Sequence, residues 1–201
     1  MNILQFQPSK SGLLELMTSR SRRQFLQSAG LATLSATSIA LLSGCANGGG
    51  YASKSDAVGQ DITILNTAIS AEHEAVAAYQ VGAESGLLQK PVLNVAVQFQ
   101  GHHKAHIGAL AGAIESLGGD PLGAKSDYAF PLDKLTNQTD VLEFAAGLER
   151  GAVSAYANAI PIFDNRDLSK AAASILADEA MHWAVLRSAL GLDPVPGAFF
   201  S

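Results

Sequence analysis

The sequence predicts an all-α fold, a four-helix bundle with one long crossover between helices two and three. Three observations predict it. Alanine is abundant and β-branched runs are few, which favours helices. Four stretches of the chain place apolar residues at spacings of three and four, the pattern of a helix with one buried face. The second pair of these stretches also echoes the first. Glu149-x-x-Ala152-Val153-x-Ala155-Tyr156 repeats Glu72-x-x-Ala75-Val76-x-Ala78-Tyr79 at an offset of 77, and His182-x-x-x-Leu186 repeats His106-x-x-x-Leu110 at an offset of 76. Matching offsets at both motifs indicate two copies of a helix pair.

Helix one is predicted from Asp61 to about Ser85, with a seam of Ile62, Leu65, Ile69, Glu72, Val76 and Tyr79. Gly86 stops it, and Pro91 suits the first turn of the next helix, where its missing N–H costs nothing. Helix two runs from about Pro91 to Leu117 on Val92, Val95, Phe99, His103, His106, Leu110, Ile114 and Leu117, and ends at Gly118-Gly119-Asp120-Pro121. Leu122 to Thr139 shows no period. A connection of that length is unusual inside a compact domain, but it lets helix three run parallel to helix two. Helix three is expected from about Asp140 to Ile160, with Asp140 or Thr139 as N-cap and a seam of Leu142, Ala146, Glu149, Val153, Tyr156 and Ile160. Helix four follows from about Asp167 to Leu190 on Leu168, Ala172, Ile175, Glu179, His182, Leu186 and Ala189, and Gly191 ends it.

The domain division that follows is a signal over 1–45, a flexible tether over 46–60, the bundle over 61–192 and a tail over 193–201. Ser21-Arg22-Arg23-Gln24-Phe25-Leu26 closely resembles a twin-arginine export signal, departing only at Gln27, where lysine is common. An uncharged, weakly apolar stretch from Ala29 to Leu42 follows, too short and too rich in Ser, Thr and Ala for a membrane span. Leu42-Ser43-Gly44-Cys45 resembles a bacterial lipoprotein box, which implies that Cys45 carries lipid. The resemblance places the domain in the periplasm or cell envelope, lipid-anchored. Ala46 to Gln60 is rich in Gly and Ser and reads as the tether.

Of the 13 basic and 18 acidic residues, the first 45 positions hold Lys10, Arg20, Arg22, Arg23 and Glu15, which leaves a net charge of −8 on the rest. An acidic domain without a basic stripe argues against nucleic acid. Cys45 is the single cysteine, so no disulfide forms within the chain. No Ser/His/Asp arrangement or phosphate loop stands out. Gly48-Gly49-Gly50 lies in the tether with no strand before it.

What remains is a set of polar residues where the periodicity demands apolar ones. Glu72, His103, His106, Glu149, Glu179 and His182 all fall on the inward seams, near the middle of their helices. Glu179 and His182 are three apart and share a face. A buried carboxylate without a partner is costly, so each needs a cation or a hydrogen-bond network. Carboxylate oxygen with imidazole nitrogen suits divalent iron or manganese. His102, at i−4 from His106, is a second candidate beside His103. Tyr79 and Tyr156 each stand seven residues past a seam glutamate, placed either to hydrogen-bond a ligand glutamate or simply to pack.

With these residues in place the chain resembles the ferritin-like superfamily over about residues 60 to 192, and most of all its exported bacterial members with twin-arginine signals. The family pattern is a glutamate on helices one and three and Glu-x-x-His on helices two and four. Glu72, Glu149 and the Glu179–His182 pair match it. Helix two departs, because His103 stands where the family has a bridging glutamate. Gln100 offers a Gln-x-x-His frame, but out of register with the repeat. The resemblance implies two iron or manganese ions, with oxygen, peroxide or ferrous iron as the reacting species, that is, a ferroxidase- or peroxidase-like oxidoreductase. The substitution at His103 leaves three carboxylate charges to balance two divalent ions, and so leaves open a non-catalytic metal-binding or stress-protection bundle. A homodimer through a helix face is compatible with the pattern, whereas a closed storage cage is not expected.

Overall fold

The structure, a computed structural model, describes residues 54–200. The twin-arginine motif, Cys45 and most of the expected tether lie outside the described residues. Four long helices form the domain: α1 (Lys54–Glu84), α2 (Lys90–Ser116), α3 (Gln138–Ala159) and α4 (Arg166–Ala189). No helix among the described residues is long and apolar enough to cross a membrane.

α1 packs against α2 and α3 against α4, and the two hairpins meet along α1–α3 and α2–α4. Hydrogen bonds between helix ends fix the directions. Gln89, at the start of α2, donates its N–H to the Gln138 side chain at the start of α3 (2.8 Å), so these two helices run parallel, as the long connection demands. Asp61, near the start of α1, is buried, and its carboxylate accepts the N–H groups of Asp164 and Asn165 at 2.9 and 3.0 Å, just ahead of α4. Gln60 Nε2 donates to the Ile162 carbonyl beyond the end of α3 (2.7 Å). α1 is therefore parallel to α4 and antiparallel to α3.

Two boundaries differ from expectation. α1 begins at Lys54, seven residues before Asp61, so part of the stretch assigned to a flexible tether is helix. Residues 54–58 contain neither Gly nor Pro, Asp56 lies in the first turn where the helix dipole favours an acid, and Gly59 is tolerated because the tertiary bonds of Gln60 and Asp61 hold the chain around it. At α3 the N-cap is Asn137, not Thr139 or Asp140. Asn137 accepts the Asp140 N–H, and the Asp140 carboxylate reaches back to the Asn137 N–H, a reciprocal capping box.

The predicted stops are built as expected. Gly118 has φ +79°, a conformation only glycine adopts without strain, and the N–H groups of Gly118 and Gly119 close back onto the carbonyls of Glu115 and Ile114. A Cβ on Gly119 would stand 2.9 Å from Ile62 Cγ2, so the chain turns there against α1. The crossover then runs along α1, where Asn66 donates to the Asp120 carbonyl (3.2 Å) and accepts from the Leu122 N–H (2.8 Å). Its one regular turn is a short 3-10 segment, Leu132–Lys134.

The core falls into two apolar clusters, one toward each end. Leu65, Ile69, Leu110, Ile114, Leu168 and Ile175 make the first. Tyr79, Phe99, Leu142, Ala146 and Leu186 contribute to the second. A polar layer lies between them.

Candidate metal centre

Each helix brings its seam residue to the same level. Glu72 comes from α1, His103 and His106 from α2, Glu149 from α3, Glu179 and His182 from α4. Glu72, His103, Glu149, Glu179 and His182 are at most 3% exposed. His106 is a little more open, at 12% for its side chain. All six sequence-derived positions therefore meet in one buried layer.

The layer has two overlapping halves. Glu72, His103, His106 and Glu179 can offer atoms within 4.8 Å of one another, and so can His103, Glu149, Glu179 and His182. His103 and Glu179 belong to both. His103 Nδ1 lies 2.8 Å from Glu72 Oε2, and its Nε2 lies 3.3 Å from Glu149 Oε1. Its ring thus spans the gap between the two outer glutamates, the place that a bridging carboxylate on α2 would reach. His102, the alternative candidate, sits at the margin with a side chain 38% exposed. Gln100 turns away from the layer and donates to the Val76 carbonyl and to Gln80.

The two tyrosines are hydrogen-bonded crosswise. The Tyr79 hydroxyl on α1 donates to Glu149 on α3, and the Tyr156 hydroxyl on α3 donates to Glu72 on α1 at 2.6 Å. Of the two readings open in the sequence, hydrogen bonding and packing, both hold, since each ring also belongs to an apolar cluster.

Two neighbours of the layer, Asp178 and the seam residue Phe99, were not among the site residues expected from the sequence. Asp178 Oδ2 stands 3.3 Å from His106 Nε2 and 3.2 Å from His182 Nε2, facing the outer edges of both rings. Both rings turn Nε2 toward Asp178 and Nδ1 toward the glutamates of the layer, and a carboxylate at the outer edge is the usual support of a metal-binding histidine. Its only sequence signal is the i,i+4 spacing of Asp178 and His182, which seam logic discards because Asp178 is 100° off the seam. Phe99 stacks on the His182 ring, with centroids 4.0 Å apart and ring planes inclined by 23°.

The charges of the layer are strongly perturbed. Burial alone would lower the pKa of His103, but hydrogen bonds to Glu149 and Glu72 outweigh it and push the ring up to about 10. His106 and His182 follow the same balance, with burial opposed by Glu179 and Glu72 in one case and by Glu149 and Glu179 in the other, and both rise to about 9. Glu72 and Glu149 are raised by burial, yet the histidines beside them hold both below the usual carboxylate range. Burial and the adjacent glutamates push both tyrosines up, so they remain neutral donors. Protons on imidazoles thus do the neutralising in the bare layer.

They do not satisfy it. Glu149 Oε2, both oxygens of Glu179 and His182 Nδ1 are buried without a hydrogen-bond partner. His106 Nδ1 is only 3.1 Å from Glu179 Oε1 but out of line for a bond. Four orphaned polar atoms at one level, from the two facing helices α3 and α4, are rare in a folded core. Their mixed oxygen and nitrogen chemistry fits a transition-metal ion.

The sequence of residues 60–192 matches the family model of the ferritin-like domain. The chain belongs to the ferritin-like family. Solved structures agree on the fold. A conserved hypothetical protein from Mycobacterium tuberculosis superposes with a TM-score of 0.62 at 19% identity, over 71% of this chain and 99% of that one. The dodecameric thioferritin, a bacterioferritin-related protein from Bacteroides fragilis, gives 0.58 at 24% identity, over 67% and 86%. Ferritin-like, diiron-carboxylate proteins from Bacillus anthracis give 0.57 at 20% identity, over 67% and 97%. No curated protein shows a significant sequence match. Within this ferritin-like bundle the layer of Glu72, His103, His106, Glu149, Glu179 and His182 is the candidate metal centre.

Proposed function

We propose that this ferritin-like protein holds two iron or manganese ions in the buried layer and uses them to oxidise ferrous iron or to reduce oxygen or peroxide at the cell envelope. Glu72 and His106 would hold one ion and Glu149 and His182 the other, with Glu179 shared. The observation that carries the reading is the convergence of orphaned buried atoms on Glu149, Glu179 and His182. Bound there, two redox-active ions would supply electrons to an oxygen species. The chain supplies the rest. Tyr79 and Tyr156 hold one oxygen of Glu149 and one of Glu72. Asp178 orients His106 and His182, and the apolar clusters above and below keep bulk water from the layer. Export by the twin-arginine route, which carries folded proteins, and a lipid at Cys45 belong to the same proposal.

One observation favours a second reading, a one-ion, non-catalytic metal-binding bundle. Both nitrogens of His103 already face glutamates, and protonated His103 is itself a cation between Glu72 and Glu149. Metal content separates the two. Anaerobic reconstitution with ferrous iron or manganese, followed by mass spectrometry, yields two ions in the layer for the first reading and one for the second, counted as the ions lost in Glu179→Ala. Glu179→Ala abolishes binding within the layer in either case. Oxygen or peroxide consumption by the loaded protein then tests catalysis, and the absence of bound metal in the unaltered chain refutes both.

A further inference from the structure

At the edge of the layer, a second group of ligand atoms is built on His102, Asp178 and the outer nitrogen of His182. His102 Nδ1 stands 2.9 Å from His182 Nε2 and 3.1 Å from Asp178 Oδ2, and His182 Nε2 is 3.2 Å from Asp178 Oδ2. The three atoms form a nearly equilateral triangle. His106 Nε2 adds a fourth contact to Asp178 Oδ2 at 3.3 Å.

Protons cannot satisfy this triangle. An ionised carboxylate only accepts, so both contacts to Asp178 require an N–H, one on His102 Nδ1 and one on His182 Nε2. The remaining side would then set two N–H groups against each other at 2.9 Å. Removing either proton mends that side and leaves a nitrogen lone pair facing the carboxylate. Every protonation state with Asp178 ionised leaves one side repulsive. A single cation in contact with all three atoms makes all three favourable. The size also fits. Ligands about 2.1 Å from a common ion lie about 3.0 Å apart when they are cis in octahedral geometry.

We propose that His102, Asp178 and His182 Nε2 form an outer metal site at the margin of the bundle, for a divalent transition metal such as cobalt, zinc or ferrous iron. Two imidazoles and one carboxylate select against calcium and magnesium, which prefer oxygen throughout. The site is open on one side: the His102 and Asp178 side chains are 38% and 23% exposed, while His182 is buried. An ion there takes the Nε2 lone pair of His182, whose Nε2 proton leaves to solvent, and an ion in the layer at Nδ1 displaces the second ring proton in the same way. His182 then presents Nε2 outward and Nδ1 toward Glu149 and Glu179, 3.5 and 3.7 Å away. The same ring therefore joins a solvent-reached position to the buried layer, the arrangement required for capturing an ion ahead of its transfer inward. The outer site shares His182 with the layer but none of its glutamates, so variants at His102 and at Glu149 tell the two readings apart.

The test is an anaerobic titration of the full chain with cobalt(II), counted by equilibrium dialysis and followed by paramagnetic shifts of the histidine ring protons. His102→Ala, at a half-exposed position, and Glu149→Gln, which alters the layer alone, run beside it. The unaltered chain is expected to bind one ion more than His102→Ala, or to bind its last ion at least tenfold more tightly, with the His102 ring protons shifted. Glu149→Gln retains that ion. If both variants bind like the unaltered chain except for the loss in His102→Ala, the outer site stands and the inner reading fails. Equal stoichiometry and affinity in His102→Ala, or loss of every ion in that variant while it stays helical by circular dichroism, overturns the outer site, as does an unshifted His102 ring.

Discussion

Metal binding at the layer has to displace protons, and their number can be worked from the structure. A histidine ligates only when neutral. With His103 at about 10 and His106 and His182 at about 9, all three carry protons at neutral pH. An ordinary histidine, with a pKa of about 6.5, is only about 10% protonated at pH 7.5 and would release almost nothing there. Between pH 6.5 and 8, each of the three that becomes a ligand contributes about one proton, so the logarithm of the overall affinity should climb by about two to three per pH unit. That corresponds to about 3–4 kcal/mol per pH unit. If His103 stays protonated as a built-in cation, the slope falls to two or below. Calorimetric titrations with manganese(II) in buffers of different ionisation enthalpy count the protons directly, and competition against a chelator gives the slope. Release of less than half a proton per chain at pH 7, with affinity flat over this range, would refute the charge assignment of the layer.

Further consequences concern the bare protein. Without metal, the raised histidines add stability that is fully present below about pH 6.5 and is lost as pH rises through about 9 to 10, while the lowered Glu72 and Glu149 add stability lost only as pH falls below the ordinary carboxylate range. The melting temperature of metal-free protein should therefore fall between pH 7 and 10, and a rise over that range would contradict the assignment. Tyr156→Phe removes the bond that holds Glu72 and should weaken metal binding by about 10- to 100-fold with the fold intact; unchanged affinity would reduce Tyr156 to packing. Asp61→Ala leaves the N–H groups of Asp164 and Asn165 without their acceptor, a loss of about 2–4 kcal/mol measurable by urea denaturation. A loss under about 0.5 kcal/mol would mean that water replaces the carboxylate.

The sequence by itself determined the helices and the identity of the layer. A helix repeats every 3.6 residues, so which residues share a buried face is a local property. Glu72, Glu149, Glu179, His103, His106 and His182 could be picked out because they interrupt apolar seams, and the internal repeat set them in register. Helix ends governed by local chemistry, such as the glycine stops at Gly118 and Gly191, were equally legible.

Tertiary structure decided what depends on other helices. The early start of α1 rests on Gln60 and Asp61 bonding to the α3–α4 connection, about a hundred residues away, which no window of sequence contains. The crosswise pairing of Tyr79 with Glu149 and Tyr156 with Glu72 follows from which helices face each other. His102 and His103, adjacent in sequence, are parted by 100° of rotation against their neighbours: the His103 ring enters the layer, and the His102 ring meets Asp178 at its edge. Asp178 itself lay hidden because it is off the seam of its own helix, and it gains its place only when α2 brings His102 and His106 alongside. Periodicity tells which way a side chain points. Only packing tells what it meets there.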